Sequence, residues 1–292
     1  MMKDRALLAR CTFPPAGTAV TCAVSGGADS LALLALAVAA GCHATAVHVD
    51  HDLRKDSARE ANVVEAMAIQ VGAGFQAVQV QVRQGPNLEA RARAARYAAL
   101  PADVLTGHTA DDQAETLIVN LLRGAASNGL SAMRPGVRRP ILGLRRHETE
   151  ELCVAMGLTV FHDPTNADPR HIRNRVRHEL LPLMADISRR DPVPLLVRQA
   201  DIARADADFL DDLATEIDPC DARSLAAAPI ALARRAVRRW LSGDHPPDAA
   251  TVERVLAVAR GEAAATDVGD GQSVRRSHQR LTLVPTNPRN SE

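Results

Sequence analysis

A six-residue string near the N-terminus has the composition of a phosphate-binding loop. Its members are Ser25, Gly26, Gly27, Ala28, Asp29 and Ser30. They follow a short apolar run (18–24) and extend into the start of a predicted helix (29–40), so backbone N–H groups and the helix N-terminus can surround an anion. The Asp29 carboxylate is a suitable ligand for Mg²⁺. A glycine turn with Asp29 or Ser30 as helix cap is the alternative, but the complete string favours phosphate binding.

A second candidate site is acidic and lies at 107–116. Asp111, Asp112 and Glu115 stand at the start of a predicted helix (111–123), at spacings of three and four that put them on one face. Such a cluster can bind a metal or an ammonium group. Helix capping accounts for one of these acids but not for three beside His108, so we favour a binding role.

Further candidates are an acid–histidine pair and four arginines. Asp50 ends a predicted strand (43–50) and His51 follows it; both could contact nucleotide or metal, with a solvated turn as the alternative. The arginines are candidate contacts to phosphate groups or nucleic-acid bases. They are Arg123, Arg139, Arg173 and Arg177. Solvated loops and helix faces are the alternative for each of them.

The first part of the chain alternates strand-like and helix-like segments that would position these residues. Strands are predicted at 18–24, 43–50, 75–82 and 103–106, and helices at 29–40, 57–71, 87–100 and 111–123. This order predicts an α/β fold, a parallel sheet with helices on both faces. Sites on such sheets lie at the carboxyl ends of the strands, where Ser25, Asp50 and His108 follow.

After His171 the pattern becomes mostly helical. Helices are predicted at 172–187, 195–213, 229–241 and 249–260, with a hairpin at 273–284. We therefore predict a catalytic domain over 1–187 and a smaller, mostly helical substrate-binding domain over 188–292.

Composition narrows the classes of function. The formal net charge is +0, 46% of residues are hydrophobic and only 2% are aromatic, so the chain can bury a core but base stacking on aromatic rings is not its main binding mode. The five cysteines are scattered without a C-x-x-C pair, which fits a reducing cytosol and argues against zinc or iron–sulfur sites. No signal peptide or membrane span is expected, and we predict a cytoplasmic protein.

The phosphate loop resembles the PP-loop of the ATP pyrophosphatases, S-G-G-x-D-S. That likeness alone leaves amide synthesis, tRNA thiolation and lysidine formation open. Further strings extend it over 25–182 and together resemble the tRNA(Ile)-lysidine synthetase family. They read HVDHDLR, NLEARARAARY, GHTADDQAET, LLRG, NGLSAM, RRPIL, DPTN and RNRVRHELLP.

The resemblance implies a PP-loop ATPase domain of the adenine nucleotide alpha hydrolase-like kind, followed by a helical domain that helps to hold tRNA. It implies that ATP, with Mg²⁺, adenylates the C2 oxygen of the wobble cytidine in the CAU-anticodon tRNA(Ile). Free L-lysine then displaces AMP, giving lysidine and changing the tRNA's identity from Met to Ile. Longer members carry a further C-terminal domain that we expect this chain to lack. The oligomeric state is left open, with a homodimer as one option.

Two other functions compete with this one. A PP-loop tRNA thiolase would share the phosphate loop, but the missing C-x-x-C pair counts against it. A catalytically silent tRNA-binding module would share the fold, but the intact Asp29, Asp111 and Asp112 count against decay.

Overall fold

The computed structural model describes residues 2–50, 57–80, 91, 94–95, 98–161, 168–243 and 246–286. The chain forms two compact units, Met1–Asp201 and Ile202–Glu292. Their boundary falls within a helix, Val193–Leu213. The functional boundary between residues 187 and 188 stays a prediction.

The first unit contains the predicted parallel sheet, which is confirmed. Its strands are β1 (Ala19–Ala23), β2 (His43–Asp50) and β3 (Gly74–Gln79), hydrogen-bonded in that order and all parallel. Since parallel strands need crossover connections, helices join them.

The strand predicted at 103–106 is reduced to a single bridge. Leu105 pairs with Cys22 of β1, through the bonds of its own N–H and carbonyl to Thr21 and Ala23. The next residue, Thr106, donates its N–H to the carbonyl of Arg138 instead. The prediction of a strand was therefore wrong in extent, since within 103–106 only Leu105 pairs with β1.

The first unit also contains a series of helices, the last of which continues into the second unit. They are α1 (Met2–Leu8), α2 (Ala28–Ala39), α3 (Ser57–Val71), α4 (Ala110–Leu122), α5 (Ser127–Leu130), α6 (Arg146–Ala155), α7 (Ile172–Arg175), α8 (Leu181–Ser188) and α9 (Val193–Leu213). The helix predicted at 87–100 lies mostly outside the described residues.

Helix α2 lies at the centre of the hydrophobic core of the first unit. It is apolar on every side, as expected of a helix without a solvent face, and residues 30–37 are all buried. Leu31 and Leu34 belong to one apolar cluster with Ile141 and Leu144, which precede α6. Burying each such leucine contributes about 1.5–3 kcal/mol. This packing fixes the N-terminus of α2, and with it the phosphate loop.

One predicted helix, 172–187, contains a wide turn. Between α7 and α8 the turn Val176–Leu180 is π-helical. Pro182 lies at the start of α8 and has no N–H for an α-helical bond. A single π turn within a helix is common at functional sites.

The second unit packs helices against a small antiparallel sheet. Its elements after α9 are a 3₁₀ turn (Ala214–Glu216), α10 (Ala222–Ala227), α11 (Ile230–Leu241), α12 (Ala249–Arg260), β4 (Ala265–Gly269), β5 (Gln272–Ser277) and β6 (Arg280–Pro285). The predicted hairpin is confirmed as β5–β6, and β4 adds a third strand. In the described part of the chain, no helix combines the length and apolarity that a membrane crossing requires.

Candidate active site

The phosphate loop connects β1 to α2 and closes on itself. Gly26 has φ +83°, a left-handed conformation that glycine adopts without strain. The Ser30 hydroxyl accepts from the N–H of Ser25 at 3.2 Å and donates to the carbonyl of Gly27 at 2.8 Å. Gly27 is the N-cap of α2. The loop therefore wraps the helix terminus whose first N–H groups lack intrahelical partners, as an anion site requires.

The acidic segment lies directly against this loop. A Cβ atom on Gly107 would come within 2.7 Å of the carbonyl oxygen of Asp29 and 3.1 Å of Cα of Ser30. Only glycine lets the two backbones approach this closely. Gly107 thus joins the two sites that the sequence predicts separately.

Gly107→Ala should therefore lower the free energy of unfolding by about 1–3 kcal/mol, because the added methyl group meets backbone that cannot rotate away. Gly243→Ala is the matched control, since a Cβ there meets nothing within 4 Å. Urea unfolding of both variants measures the difference. Equal midpoints would mean that the phosphate loop moves aside freely.

Helix α4 begins at the acidic cluster. Asp112 Oδ2 accepts from the backbone N–H of Thr109 at 2.8 Å and from its hydroxyl at 3.0 Å, so the capping role considered for this acid is present. Its other oxygen accepts from Arg146 at 3.2 Å and from Arg173 at 2.9 Å. One acid therefore caps the helix and also enters a charged network.

Glu115 is the centre of that network. Its side chain is 0% exposed. It accepts from Arg146 Nη1 at 3.0 Å, from Arg173 Nε at 2.8 Å and from Arg177 Nε at 2.7 Å. A buried carboxylate is tolerated only when it is paired in this way.

Asp111 belongs to the same cluster but has its own partners. It accepts from Arg145 Nε at 3.0 Å and from the backbone N–H of Arg146 at 2.8 Å. Burial alone would raise the pKa of Asp111, but the hydrogen bonds from Arg145 and from the Arg146 backbone outweigh it and hold the pKa below its ordinary value. Asp111 therefore stays ionised.

Asp29 is held differently. The Thr149 hydroxyl donates to its Oδ1, and Arg146 Nε lies 3.5 Å from its Oδ2. Burial raises the pKa of Asp29 to about 6, although Thr149 and Arg146 partly offset it. Asp29 is thus a carboxylate whose charge is poorly compensated by the protein.

Such a carboxylate beside a phosphate loop fits a divalent cation. Among the described residues, no group of three or more His, Cys, Asp or Glu side chains is arranged to hold a metal. Mg²⁺ commonly binds through one or two carboxylates together with substrate phosphates and water, so one protein ligand is sufficient.

The structure brings together six of the residues that the sequence singled out. They are Asp29, Asp111, Asp112, Glu115, Arg173 and Arg177. Arg123, at the end of α4, is exposed, and Arg139 donates to the carbonyl of Arg134. Asp50 ends β2, whereas His51 and the DPTN string lie outside the described residues. The roles assigned to these residues stay predictions.

Sequence reasoning missed Arg145, Arg146 and Thr149. Each contacts an acid more than 30 positions away, so no local spacing reveals it. The available signal was the pair of adjacent arginines shortly after the RRPIL string.

Comparisons with known proteins show which families and proteins this chain is similar to. A PP-loop domain family matches residues 4–184, and a TilS substrate binding domain family matches residues 221–282. The tRNA(Ile)-lysidine synthase of Nocardia farcinica is 39% identical over 296 residues, covering 93% of each chain. That of Mycobacterium leprae is 42% identical over 238 residues, covering 75% of this chain and 73% of its own.

A solved structure provides a likeness of fold alone. The U34-tRNA thiolase NcsA from Methanococcus maripaludis aligns with a TM-score of 0.53 and 15% identity, over 68% of this chain and 77% of that one.

Proposed function

Because this chain belongs to the tRNA(Ile)-lysidine synthase family, we propose that it joins free L-lysine to the wobble cytidine of the CAU-anticodon tRNA(Ile) at the expense of ATP. One observation carries the residue-level account. The phosphate loop and the buried acidic cluster adjoin, with Gly107 against Asp29 and with Arg146 reaching both Asp29 and Glu115. The two small substrates, ATP and lysine, require a phosphate site and an ammonium site side by side.

In the first step the loop Ser25–Ser30 holds the phosphates of ATP, with Asp50 and His51 as further nucleotide contacts. The cytidine C2 oxygen forms a bond to the α-phosphorus, the bond from that phosphorus to the bridging oxygen breaks, and pyrophosphate leaves with the electron pair. Mg²⁺ at Asp29 would supply positive charge against the phosphates.

In the second step the acidic cluster positions lysine. Asp112 and Glu115 would accept an ammonium group of the amino acid, with Asp111 at the edge of this acidic cluster. The ε-ammonium gives up one proton to solvent water, and the nitrogen lone pair then forms a bond to C2 of the cytidine. The C2–O bond breaks, and AMP leaves with its electron pair. Asp29, Asp111, Asp112 and Glu115 are thus the acids on which both steps depend.

The tRNA would contact arginines outside this acidic cluster. Arg123 is exposed at the end of α4 and is suited to phosphate contacts, and Arg139 lies half-buried on the loop after α5. Arg173 and Arg177 hold Glu115 and Asp112, so an RNA contact by either requires it to release an acid. The match of residues 221–282 to a substrate binding domain supports a tRNA-holding role for the part of the chain after residue 187.

The described cysteines favour lysidine formation over thiolation. Burial raises the pKa of Cys22 to about 12 and that of Cys153 to about 11. Sulfur transfer needs thiolates, and these groups stay protonated at neutral pH.

The decisive assay follows radiolabelled lysine into CAU-anticodon tRNA(Ile) in the presence of ATP, together with pyrophosphate release. We expect incorporation that depends on both ATP and tRNA, and none into the isoacceptor with a GAU anticodon. Sulfur transfer without lysine incorporation would favour the thiolase instead. Binding of tRNA without pyrophosphate release would favour the silent module.

A further inference from the structure

We propose that Arg146 is a further catalytic residue of this reaction, which leaves the acid pair Asp112–Glu115 when lysine binds and donates to the phosphates of ATP. This inference rests on the function proposed above, since it places ATP at the phosphate loop and lysine at the acid pair.

Arg146 is shared between the two sites. Its guanidinium lies 3.0 Å from Glu115, 3.2 Å from Asp112 and 3.5 Å from Asp29. Asp29 belongs to the phosphate loop, whereas the other two acids belong to α4. One planar cation therefore touches both motifs, and its side chain is only 21% exposed.

The neighbouring arginines do not share this position. Arg173 and Arg177 pair with Asp112 and Glu115. Arg145 pairs with Asp111 and Asp191 instead. Among the ion pairs of the residues that the structure describes, Arg146 alone joins the phosphate loop to the acid pair.

The acid pair already holds three guanidinium groups. A lysine ammonium would be a fourth cation on two carboxylates, so one arginine has to give way. Arg173 and Arg177 contact these two acids and, among the described ion pairs, no acid of the phosphate loop, whereas the guanidinium of Arg146 also lies 3.5 Å from Asp29. Arg146 also has the anionic phosphates of ATP beside it as an alternative partner. It is therefore the arginine that moves.

Arg146 suits the new partner chemically. A guanidinium is a permanent cation that binds phosphate oxygens through two parallel N–H bonds. Placed there, it stabilises the charge that develops as pyrophosphate leaves. Since ATP draws Arg146 from the lysine site, and lysine frees Arg146 for ATP, each substrate should strengthen the binding of the other by the same factor.

The test compares Arg146→Ala and Arg146→Lys with a matched control, Arg175→Ala. Arg175 stands between Arg173 and Arg177 in sequence but pairs with Glu179 at the surface. Steady-state tRNA-dependent pyrophosphate release is measured against ATP and against lysine. For Arg146→Ala we expect kcat to fall about 100-fold, as when one preorganised donor is lost. KM for ATP should rise, and KM for lysine should fall because one competing cation is gone.

Arg146→Lys should recover part of kcat, because it keeps the charge, while KM for ATP stays raised, because the bidentate contact is lost. Arg175→Ala should match the wild type. Lower thermal stability with both KM values unchanged would mean that Arg146 is only structural and would overturn the inference. If the wild type itself fails to incorporate lysine, the proposed function fails, which is a different result.

A measurement on the wild type covers the case in which Arg146→Ala does not fold. Lysine binding is measured by calorimetry with and without a non-hydrolysable ATP analogue. We expect the analogue to tighten lysine binding by about 5-fold or more, the usual range for coupled sites. Unchanged or weakened lysine affinity would overturn the inference.

Discussion

Glu115→Gln should cut lysine transfer by about 10³-fold, the scale of losing a preorganised charge, and should lower the free energy of unfolding by about 3–5 kcal/mol. The carboxylate is fully buried and accepts from three guanidinium groups. An amide presents an N–H₂ group to at least one of these donors and leaves buried positive charge uncompensated. Denaturant unfolding and lysine incorporation per folded molecule measure the two effects.

Glu179→Gln is the control for this substitution. Glu179 also pairs with an arginine, Arg175, but both side chains are more than half exposed. Exposed pairs contribute about 0–1 kcal/mol, so this variant should stay close to the wild type in both assays. A folded Glu115→Gln protein with normal lysine incorporation would remove Glu115 from the lysine site.

Asp29→Asn should reduce activity without reducing stability, unlike Glu115→Gln. We expect tRNA-dependent pyrophosphate release to fall by about 10³-fold, since the variant loses the negative charge that would hold Mg²⁺. The free energy of unfolding at pH 7 should stay the same or rise by up to about 3 kcal/mol, since each unit of pKa shift corresponds to about 1.4 kcal/mol. The reason is that burial raises the pKa of Asp29 from 3.8 to about 6, so its ionised form is costly in the folded protein.

Thermal unfolding and pyrophosphate release on the same preparation test this prediction. The surface variant Asp186→Asn is the control, because that carboxylate is exposed and pairs only with Arg189 among the described residues. Loss of stability comparable to that of Glu115→Gln would show that the Asp29 carboxylate is structural. Normal turnover would remove it from the mechanism. Stability gained at the expense of activity is typical of groups retained for function.

Local sequence signals were sufficient to predict much of the fold. The predicted bounds of β2, α3 and α12 agree with the structure, because each segment keeps one hydrophobic period between polar or glycine-containing ends. β4 (ATDVG) was missed, since it has little apolar alternation and is held by pairing with β5. The π turn before Pro182 was missed because one wide turn hardly alters the spacing of apolar residues.

The acidic residues of the candidate site were predicted from the sequence, but the arginines that pair with them were predicted less fully. Motif spacing identified Asp112 and Glu115, which share one helix. Arg173 and Arg177 are four residues apart in the predicted helix 172–187 and so share a face. Spacing does not show which way that face points, and in the structure it meets the acids. Arg146 comes from a separate helix, and only the tertiary fold brings it to them.

The buried cluster of acids and arginines has a consequence for how the protein responds to ionic strength. Mobile ions screen charges beyond about 8 Å at physiological salt, but they scarcely enter the space around Glu115, which solvent does not reach. Arg123 is exposed, and the phosphate contacts proposed for it would release counterions and weaken as salt rises. We therefore expect salt to weaken tRNA binding while leaving the ion pairs around Glu115 largely intact.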